Sequence, residues 1–109
     1  MAMTQAIREQ SFYVLAALWD GPRHGYGIIQ ATGRCTGGEV RLAPGTLYGA
    51  LDRLTEGGLV EDDHEEVVEG RVRRYMRLTD EGRRLVVAEA QRMETAARLV
   101  LDRATAPTD

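Results

Sequence analysis

The sequence predicts a mostly helical domain that carries one small β-hairpin. Apolar residues recur at helical spacing in three successive segments and again in a long final one. Glycine or proline separates these segments, and the spacing becomes alternating only over residues 59–78. Helices and half-buried strands differ in this period, so the change of period marks the change of structure.

The first predicted helix begins at Thr4, whose hydroxyl can accept a hydrogen bond from an N–H group of the first turn. It ends near Trp19, because Gly21 and Pro22 follow and favour a stop. Its apolar stripe is expected at Ile7, Ser11, Val14, Leu15 and Leu18.

A short second helix is predicted from about Tyr26 to Thr32, and Gly33 is expected to end it. Residues 33–41 are rich in glycine and are interpreted as a turn, with one short extended segment over residues 39–42.

The third predicted helix runs from Pro44 to Glu56, and Gly57 and Gly58 end it. Pro44 suits a first helical position, where its missing N–H has no cost. The apolar residues follow the i, i+3, i+4, i+7 pattern of one buried face: Leu47, Ala50, Leu51 and Leu54. The opposite face carries Gly45, Tyr48, Gly49, Asp52 and Arg53.

The two glycines on this outer face are unusual, because each costs about 1 kcal/mol relative to alanine inside a helix. They would let a large partner, such as a DNA groove, approach the backbone. An ordinary short surface helix beside a glycine-rich loop is the alternative at this point.

A two-stranded hairpin is predicted next, with one strand from Leu59 to about Glu66, a turn at Glu69-Gly70, and a second strand over residues 71–78. Its charges are segregated: residues 61–69 hold six acids and no Arg, whereas residues 71–77 hold four Arg and no acid. A local positive patch can therefore exist in a chain of net charge −3.

Thr79 is predicted to cap a last helix that runs to about Arg103, with Gly82 weakening its first turn slightly. One line of residues is spaced alternately by four and three, as in a coiled-coil seam: Val86, Ala90, Met93, Ala97, Val100 and Ala104. We expect this seam to form a dimer interface, and packing back onto the first helix is the alternative. Residues 105–109 are expected to be a disordered tail.

The chain has 109 residues, 43% of them apolar, which suits a single globular domain. No apolar run reaches the roughly 20 residues of a membrane span, and no secretory signal is visible. The single cysteine excludes an intrachain disulfide and fits the cytoplasm. Cys35, His24 and His64 lack the spacing of a zinc site, so no metal, cofactor or catalytic group is expected.

Three helices followed by a hairpin and a further helix form the plan of a winged helix-turn-helix with a long C-terminal helix. In that plan the third helix enters the major groove of DNA and the hairpin, or wing, lies along the backbone or minor groove. We therefore assign residues 1–78 to a DNA-binding domain and residues 79–104 to a dimerisation helix. The open glycine face and the four wing Arg lie on the two elements that should touch DNA.

The chain also resembles PadR-family transcriptional regulators. The resemblance rests on the segments His24-Gly25-Tyr26-Gly27-Ile28, Pro44-Gly45-Thr46-Leu47-Tyr48, and Gly70-Arg71 with Arg73-Arg74-Tyr75. It implies a bacterial dimeric regulator, usually a repressor, whose single C-terminal helix pairs across the dimer. Ala43 departs from the family's usual Ser before the proline, and the loss of such a cap typically costs about 1 kcal/mol.

Candidate DNA contacts are Thr46, Tyr48, Gly49 and Arg53 on the third helix, Arg71, Arg73 and Arg74 on the wing, and Tyr26. Each has a structural alternative. Arg53 could pair with a neighbouring acid or lie in solvent, Tyr48 could be half-buried against the first helix, and cross-strand acids could neutralise the wing Arg.

Related regulators bind flat aromatic molecules between the domain and the dimer helices, and some use a Trp on the last helix. Here the last helix has no aromatic residue, so Phe12, Trp19 and Met93 are the candidates for lining an apolar effector cavity, with ordinary dimer core as the alternative.

The predicted function is a dimeric, sequence-specific DNA-binding regulator, a repressor released by a small molecule or another signal. A winged-helix module that binds proteins and not DNA is the competing hypothesis.

Overall fold

The computed structural model of the chain describes residues 9–105. The predicted cap Thr4, the stripe residue Ile7 and residues 106–109 of the predicted tail lie outside this range. Within it the helices and strands follow in the order α1 (Glu9–Ala17), β1 (Arg23–His24), α2 (Gly25–Cys35), α3 (Pro44–Glu56), β2 (Val60–Val68), β3 (Arg71–Leu78) and α4 (Asp80–Ala104). This order confirms the predicted mostly helical fold with a winged helix-turn-helix and a long last helix.

The first three helices pack around a single apolar core. Val14, Leu15, Ile28 and Leu47 are fully buried there. The predicted inner face of α3 is confirmed, because Leu47, Ala50, Leu51 and Leu54 are all buried. The sheet closes one side of the core through Val60, Met76 and Leu78, and the start of α4 contributes Val86.

The sheet has three strands and not the predicted two, in the order β1-β3-β2. The added strand is β1, whose Arg23 and His24 pair antiparallel with Met76 and Tyr75 of β3. Two residues are too few to show a strand period, so sequence patterning could not reveal this strand. Its pairing holds the start of α2 directly beside the wing.

The hairpin of β2 and β3 is confirmed, with β2 two residues longer at its end than predicted. Its turn residues Glu69 and Gly70 have φ of 52° and 76°. Two central residues with positive φ form the turn that matches the twist of a hairpin. A bulge between Asp62 and His64 shifts the register of β2 against β3.

The predicted end of α2 at Gly33 is wrong, because the helix continues to Cys35. Gly37 provides the left-handed residue that ends it, with φ of 63°. The N–H of Gly38 donates to the carbonyl of Gly33 at 2.7 Å, and that of Gly37 donates to Arg34 at 3.3 Å. This is the Schellman pattern, so a later glycine terminates the helix. The extended segment expected over residues 39–42 is irregular and not a strand.

The α3 helix ends in the same way, as predicted, at Gly57-Gly58. Gly58 has φ of 76°, and the N–H of Leu59 donates to the carbonyl of Leu54 at 2.9 Å. The α4 helix begins as predicted, because the Thr79 hydroxyl accepts a hydrogen bond from the N–H of Gly82 at 3.0 Å. No helix within residues 9–105 has both the length and the apolar character needed to cross a membrane.

Candidate nucleic-acid interface

The outer face of α3 is exposed to solvent at every polar position that the sequence analysis singled out. Thr46, Asp52 and Arg53 are exposed, and 55% of Tyr48 is accessible. No acid within residues 9–105 forms an ion pair with Arg53, so its guanidinium is available. This face can therefore present hydrogen-bonding groups to a ligand.

The two glycines of this face differ in their surroundings. A Cβ added at Gly45 would meet nothing within 4 Å, so the backbone there is open. A Cβ at Gly49 would lie 3.6 Å from Nη1 of Arg53, whose side chain extends back over it. Gly45 alone is thus fully open to a large partner, while Gly49 gives room to an arginine one turn later.

The start of α3 has the weak cap that the sequence predicts. Ala43 occupies the N-cap position with φ −72° and ψ 149°, and it makes no side-chain cap hydrogen bond. Pro44 follows as the first helical residue. The N–H groups of the first turn are consequently left without the acceptor that serine or threonine would supply.

Tyr48 reaches from α3 to the first turn of α2. Its hydroxyl lies 2.6 Å from the point where a Cβ of Gly25 would stand. Tyr26, on the next position of α2, is 62% accessible. The structure thus places the two candidate tyrosines on adjoining elements of one surface.

An open cleft of about 680 Å³ separates the outer face of α3 from the wing. Its floor is apolar, because Leu51 and Met76 are buried. Its walls carry opposite charges, Asp52 and Glu56 from α3 facing Arg73 and Arg74 from β3. The full lining is His24, Gly25, Tyr26, Tyr48, Leu51, Asp52, Thr55, Glu56, Val72, Arg73, Arg74 and Met76.

The wing arginines fall into two groups. Arg74 donates to Asp62 at 2.8 Å, and Arg77 donates to Glu61 at 2.8 Å and to Asp63 at 3.0 Å. Arg71 and Arg73 are exposed and form no ion pair with any residue of the described chain. The segregated charges of the hairpin are therefore only partly neutralised across the strands.

Three rings lie side by side across the sheet beside this cleft. Tyr75 is stacked on His64 with centroids 4.4 Å apart, and it meets His24 edge to face at 5.2 Å. His24 also caps α2, since its Nδ1 accepts a hydrogen bond from the N–H of Gly27 at 3.2 Å. Neither histidine role was expected, and only the β1–β3–β2 pairing brings the rings together.

The two histidines have opposite pKa shifts. Burial, reinforced by the nearby Arg73 charge, lowers the pKa of His24. Hydrogen bonding to the Asp63 carboxylate, with a further contact to Glu66, raises the pKa of His64. The same contact with His64, together with Arg77, lowers the pKa of Asp63.

The predicted seam on α4 is divided between two environments. Val86 is 5% accessible and belongs to the core of the domain, so its side chain packs within its own chain and not along an exposed seam. From residue 90 to residue 105 every position is exposed, including Ala90, Met93, Ala97 and Val100. Leu99, Val100 and Leu101 are each more than half accessible.

The three candidate effector residues lie on different parts of the chain: Phe12 on α1, Trp19 in the turn after α1, and Met93 on α4. Phe12 is half-buried against the core, and Met93 is 39% accessible. Arg83 covers one face of Trp19, with its guanidinium carbon 4.8 Å from the ring centroid. Arg83 also donates to the Trp19 carbonyl at 3.2 Å, so the ring is tied to α4.

Sequence reasoning did not identify Glu56 and Thr55 as members of the cleft, nor Val72 as its exposed apolar edge. Their position depends on the distance between α3 and β3, which no local pattern encodes. The available signal was the acids Asp52 and Glu56, four residues apart, which share one helix face.

Comparison with known proteins supports a single family. Residues 14–88 match the family described as "Transcriptional regulator PadR-like family". The chain is 36% identical to the transcriptional regulator Rv3488 of Mycobacterium tuberculosis over 82% of its own length and 79% of that protein. It is also 48% identical over 80 residues to an uncharacterized 37.1 kDa protein in transposon TN4556 of Streptomyces fradiae, but it spans only 21% of that protein.

Solved structures share the fold. A transcriptional regulator from Clostridium thermocellum has a TM-score of 0.72 at 24% identity, covering 88% of this chain and 92% of that one. Bacillus subtilis PadR in complex with operator DNA has a TM-score of 0.66 at 21% identity, covering 74% of this chain and 46% of that one. The matched family consists of transcriptional regulators and not of enzymes. The chain belongs to the PadR-like family of transcriptional regulators.

Proposed function

We propose that this chain is a dimeric, sequence-specific DNA-binding regulator that represses transcription until a small molecule or another signal releases it. The observation that carries the proposal is the juxtaposition of α3 and β3. Exposed Tyr48 lines the same cleft as Arg73, which forms no ion pair within residues 9–105. A helix with polar side chains beside a strand with available arginines suits simultaneous contact with a groove and its phosphates.

Within this surface, α3 would read bases and the wing would hold the backbone. Arg53 is the candidate for two-pronged contact with guanine, since its guanidinium has no acid partner in residues 9–105. Thr46, Tyr48 and Tyr26 would bond phosphate oxygens or base edges, and Gly45 and Gly49 would admit the DNA. Arg71, Arg73 and Arg74 would contact phosphates.

The acids of the wing do not prevent this contact. The Arg74–Asp62 pair is exposed, with more than 60% of each side chain accessible. Exposed ion pairs contribute only about 0–1 kcal/mol, so a phosphate can replace Asp62 at small cost. Asp52 and Glu56 would instead repel phosphate from the α3 side of the cleft, which confines the backbone to the wing side.

Dimerisation would bring two such surfaces together. The seam positions Ala90, Met93, Ala97 and Val100 are exposed on a helix that extends beyond the domain core. The radius of gyration is 16.4 Å, against about 13 Å for a compact chain of this length. Two copies of α4 paired along the seam would bury these apolar side chains. A regulator of this kind would act in the cytoplasm, where bacterial DNA lies.

Release by a signal requires an effector site, for which Phe12, Trp19 and Met93 are the proposed lining. The chain contains one tryptophan, so its fluorescence reports this region alone. An aromatic ligand that displaced Arg83 from the Trp19 ring should change the emission and lower DNA affinity together. A ligand that changed neither property would not be the effector.

The experiment that tests DNA binding is a titration of labelled duplex, recovered by selection from genomic fragments, at two salt concentrations. Affinity should fall steeply as salt rises, and Arg73→Ala should reduce the slope of log affinity against log salt by about two, one for each protomer of the dimer. Arg84→Ala is the matched control, because Arg84 is exposed and paired with Glu81 on α4, away from the cleft. A chain that bound no duplex with salt sensitivity would overturn the proposal and favour the protein-binding alternative.

The same duplex separates the roles of the two elements. Arg73→Ala should weaken binding to all sequences alike. Arg53→Ala should also relax the preference at one base pair, by about 1–3 kcal/mol of discrimination. An Arg53→Ala variant with unchanged base preference would remove Arg53 from base readout.

A further inference from the structure

Gly25 is buried at the first position of α2, and the ring of Tyr48 occupies the space where its side chain would be. A Cβ on Gly25 would lie 2.6 Å from the Tyr48 hydroxyl oxygen, 3.1 Å from Cζ and 3.2 Å from Cε1. All three distances are shorter than ordinary van der Waals contact. The ring therefore lies against the backbone of α2.

The backbone of Gly25 does not itself require glycine. The φ angle of Gly25 is not positive, and the residue lies in regular helix, where any residue is allowed. Glycine in a helix lowers stability relative to alanine. What the absence of a side chain provides at this position is room, and Tyr48 fills that room.

Tyr48 cannot avoid Gly25 by moving its backbone. Its neighbours Leu47 and Ala50 are fully buried and anchor α3 in the core. The remaining freedom is rotation of the side chain, which occupies a few discrete staggered conformations. Rotation away from Gly25 would carry the ring off the N-terminal turn of α2 and across the exposed face of α3.

We propose that Gly25 is a positioning residue for DNA recognition: the notch that it leaves in α2 holds the Tyr48 ring in the conformation that reads DNA. The inference rests on the proposed function, because it assigns a role to the same surface. It also explains why two separate motifs, one at the start of α2 and one at the start of α3, accompany each other in this chain. The start of α2 and the start of α3 act together, because Gly25 of one provides the space that Tyr48 of the other occupies.

The test is a double-mutant cycle on the full chain with Gly25→Ala and Tyr48→Ala. The probe is a duplex that the parent chain selects from a random-sequence pool. Gly25→Ala should lower affinity about tenfold, similarly to Tyr48→Ala. The double variant should bind no more weakly than Tyr48→Ala alone, because Gly25 acts only through the ring. Gly33→Ala is the control, since a Cβ there meets nothing within 4 Å in the same helix.

Thermal unfolding provides a readout without DNA. Gly25→Ala should change the melting temperature less favourably in the parent chain than in a Tyr48→Ala background, because only the parent has a ring that the new Cβ meets. This comparison is also informative if Gly25→Ala alone fails to fold. The same change in melting temperature in both backgrounds would show that Tyr48 is not what the new side chain meets, and would overturn the inference.

A third measurement follows the ring itself. The chain has four tyrosines, so spectra of ring-labelled protein are simple, and Tyr48→Phe identifies the Tyr48 signal. Gly25→Ala should shift this signal, whereas Gly33→Ala should not. An unshifted ring overturns the inference whether or not DNA binds. A parent chain that bound no duplex would overturn the proposed function, and the role of the notch in recognition with it.

Discussion

The hydroxyl of Thr79 donates a hydrogen bond of 2.7 Å to the carbonyl oxygen of Gly58. The N–H of Thr79 donates to the next carbonyl, that of Leu59, at 3.1 Å. Gly58 belongs to the turn that ends α3, and Thr79 is the cap of α4. The proposed dimer helix is thus bonded directly to the end of the proposed reading helix, which sets the direction of one relative to the other.

Gly82→Ala should loosen this joint. A Cβ at position 82 would overlap the carbonyl oxygen of Leu59, which is backbone and cannot rotate away. We expect the free energy of unfolding to fall by about 2 kcal/mol, the usual scale for overpacking a buried position. Urea unfolding followed by circular dichroism measures it. Gly33→Ala, in open space, should instead raise stability by about 0.4–1 kcal/mol. Equal stability of the two variants would show that α4 is not held in this way.

Ala43→Ser should strengthen the start of α3. Ala43 already has the extended backbone of an N-cap, so a serine hydroxyl could accept from an N–H of the first turn. The expected gain is about 1 kcal/mol in the free energy of unfolding. Ala43→Val, which fits an extended backbone but offers no acceptor, should give no such gain. If valine stabilised the protein as much as serine, capping would not be the cause.

Met93→Asp should prevent dimerisation. Met93 is exposed on the seam of α4, and an acid there would place two like charges in the apolar interface of the proposed dimer. Sedimentation equilibrium should give a mass near the 12.1 kDa of one chain, against twice that value for the parent. Thr95→Asp, two positions on and about 180° from the seam, should leave the dimer intact. A parent protein that sediments with the mass of one chain would contradict the proposed dimer.

The histidine pair should make opposite contributions to the pH dependence of stability. The raised pKa of His64 means that its contribution is fully present below pH 6.5 and is lost as pH rises through the folded value. The lowered pKa of His24 means that folding disfavours its charged form, so stability is lost as pH falls below 6.5. In the parent chain the two effects partly cancel.

Removing one histidine should expose the effect of the other. His64→Asn should melt at a higher temperature at pH of about 8 than at pH of about 5.5, because only the His24 effect is left. His24→Asn, which retains a capping side chain, should show the reverse. Two variants with the same pH trend would mean that the burial of His24 and the contact of His64 with Asp63 do not govern these titrations.

Much of the fold follows from patterns within a few residues of one another. The apolar spacing of Leu47, Ala50, Leu51 and Leu54 identifies the buried face of α3, because that spacing matches the turn of a helix. Thr79 as a cap and Glu69-Gly70 as a hairpin turn were equally predictable, since each depends on the local chemistry of one residue type.

Predictions failed where a local pattern allowed more than one outcome. Gly33 and Gly37 both stand near the end of α2, and Gly37 ends it because its left-handed backbone lets the N–H of Gly38 donate to the carbonyl of Gly33. Gly82 seemed only to weaken α4, yet a side chain there would overlap the carbonyl of Leu59. The first case was decided by a choice between two nearby glycines, and the second by the packing of α4 against a distant part of the chain.

By itself the sequence determined the order of the helices and the hairpin, the two faces of α3, the charges of the wing and the membership of the PadR-like family. Only the tertiary structure decided which charges were paired, because Asp62 accepts a hydrogen bond from Arg74 across the hairpin while Arg71 and Arg73 form no ion pair within residues 9–105. Only the tertiary structure brought Gly25 into contact with Tyr48. It also brought together the rings of His24, Tyr75 and His64 on the sheet. Local patterns encode period and capping, whereas contacts between elements depend on how those elements pack in three dimensions.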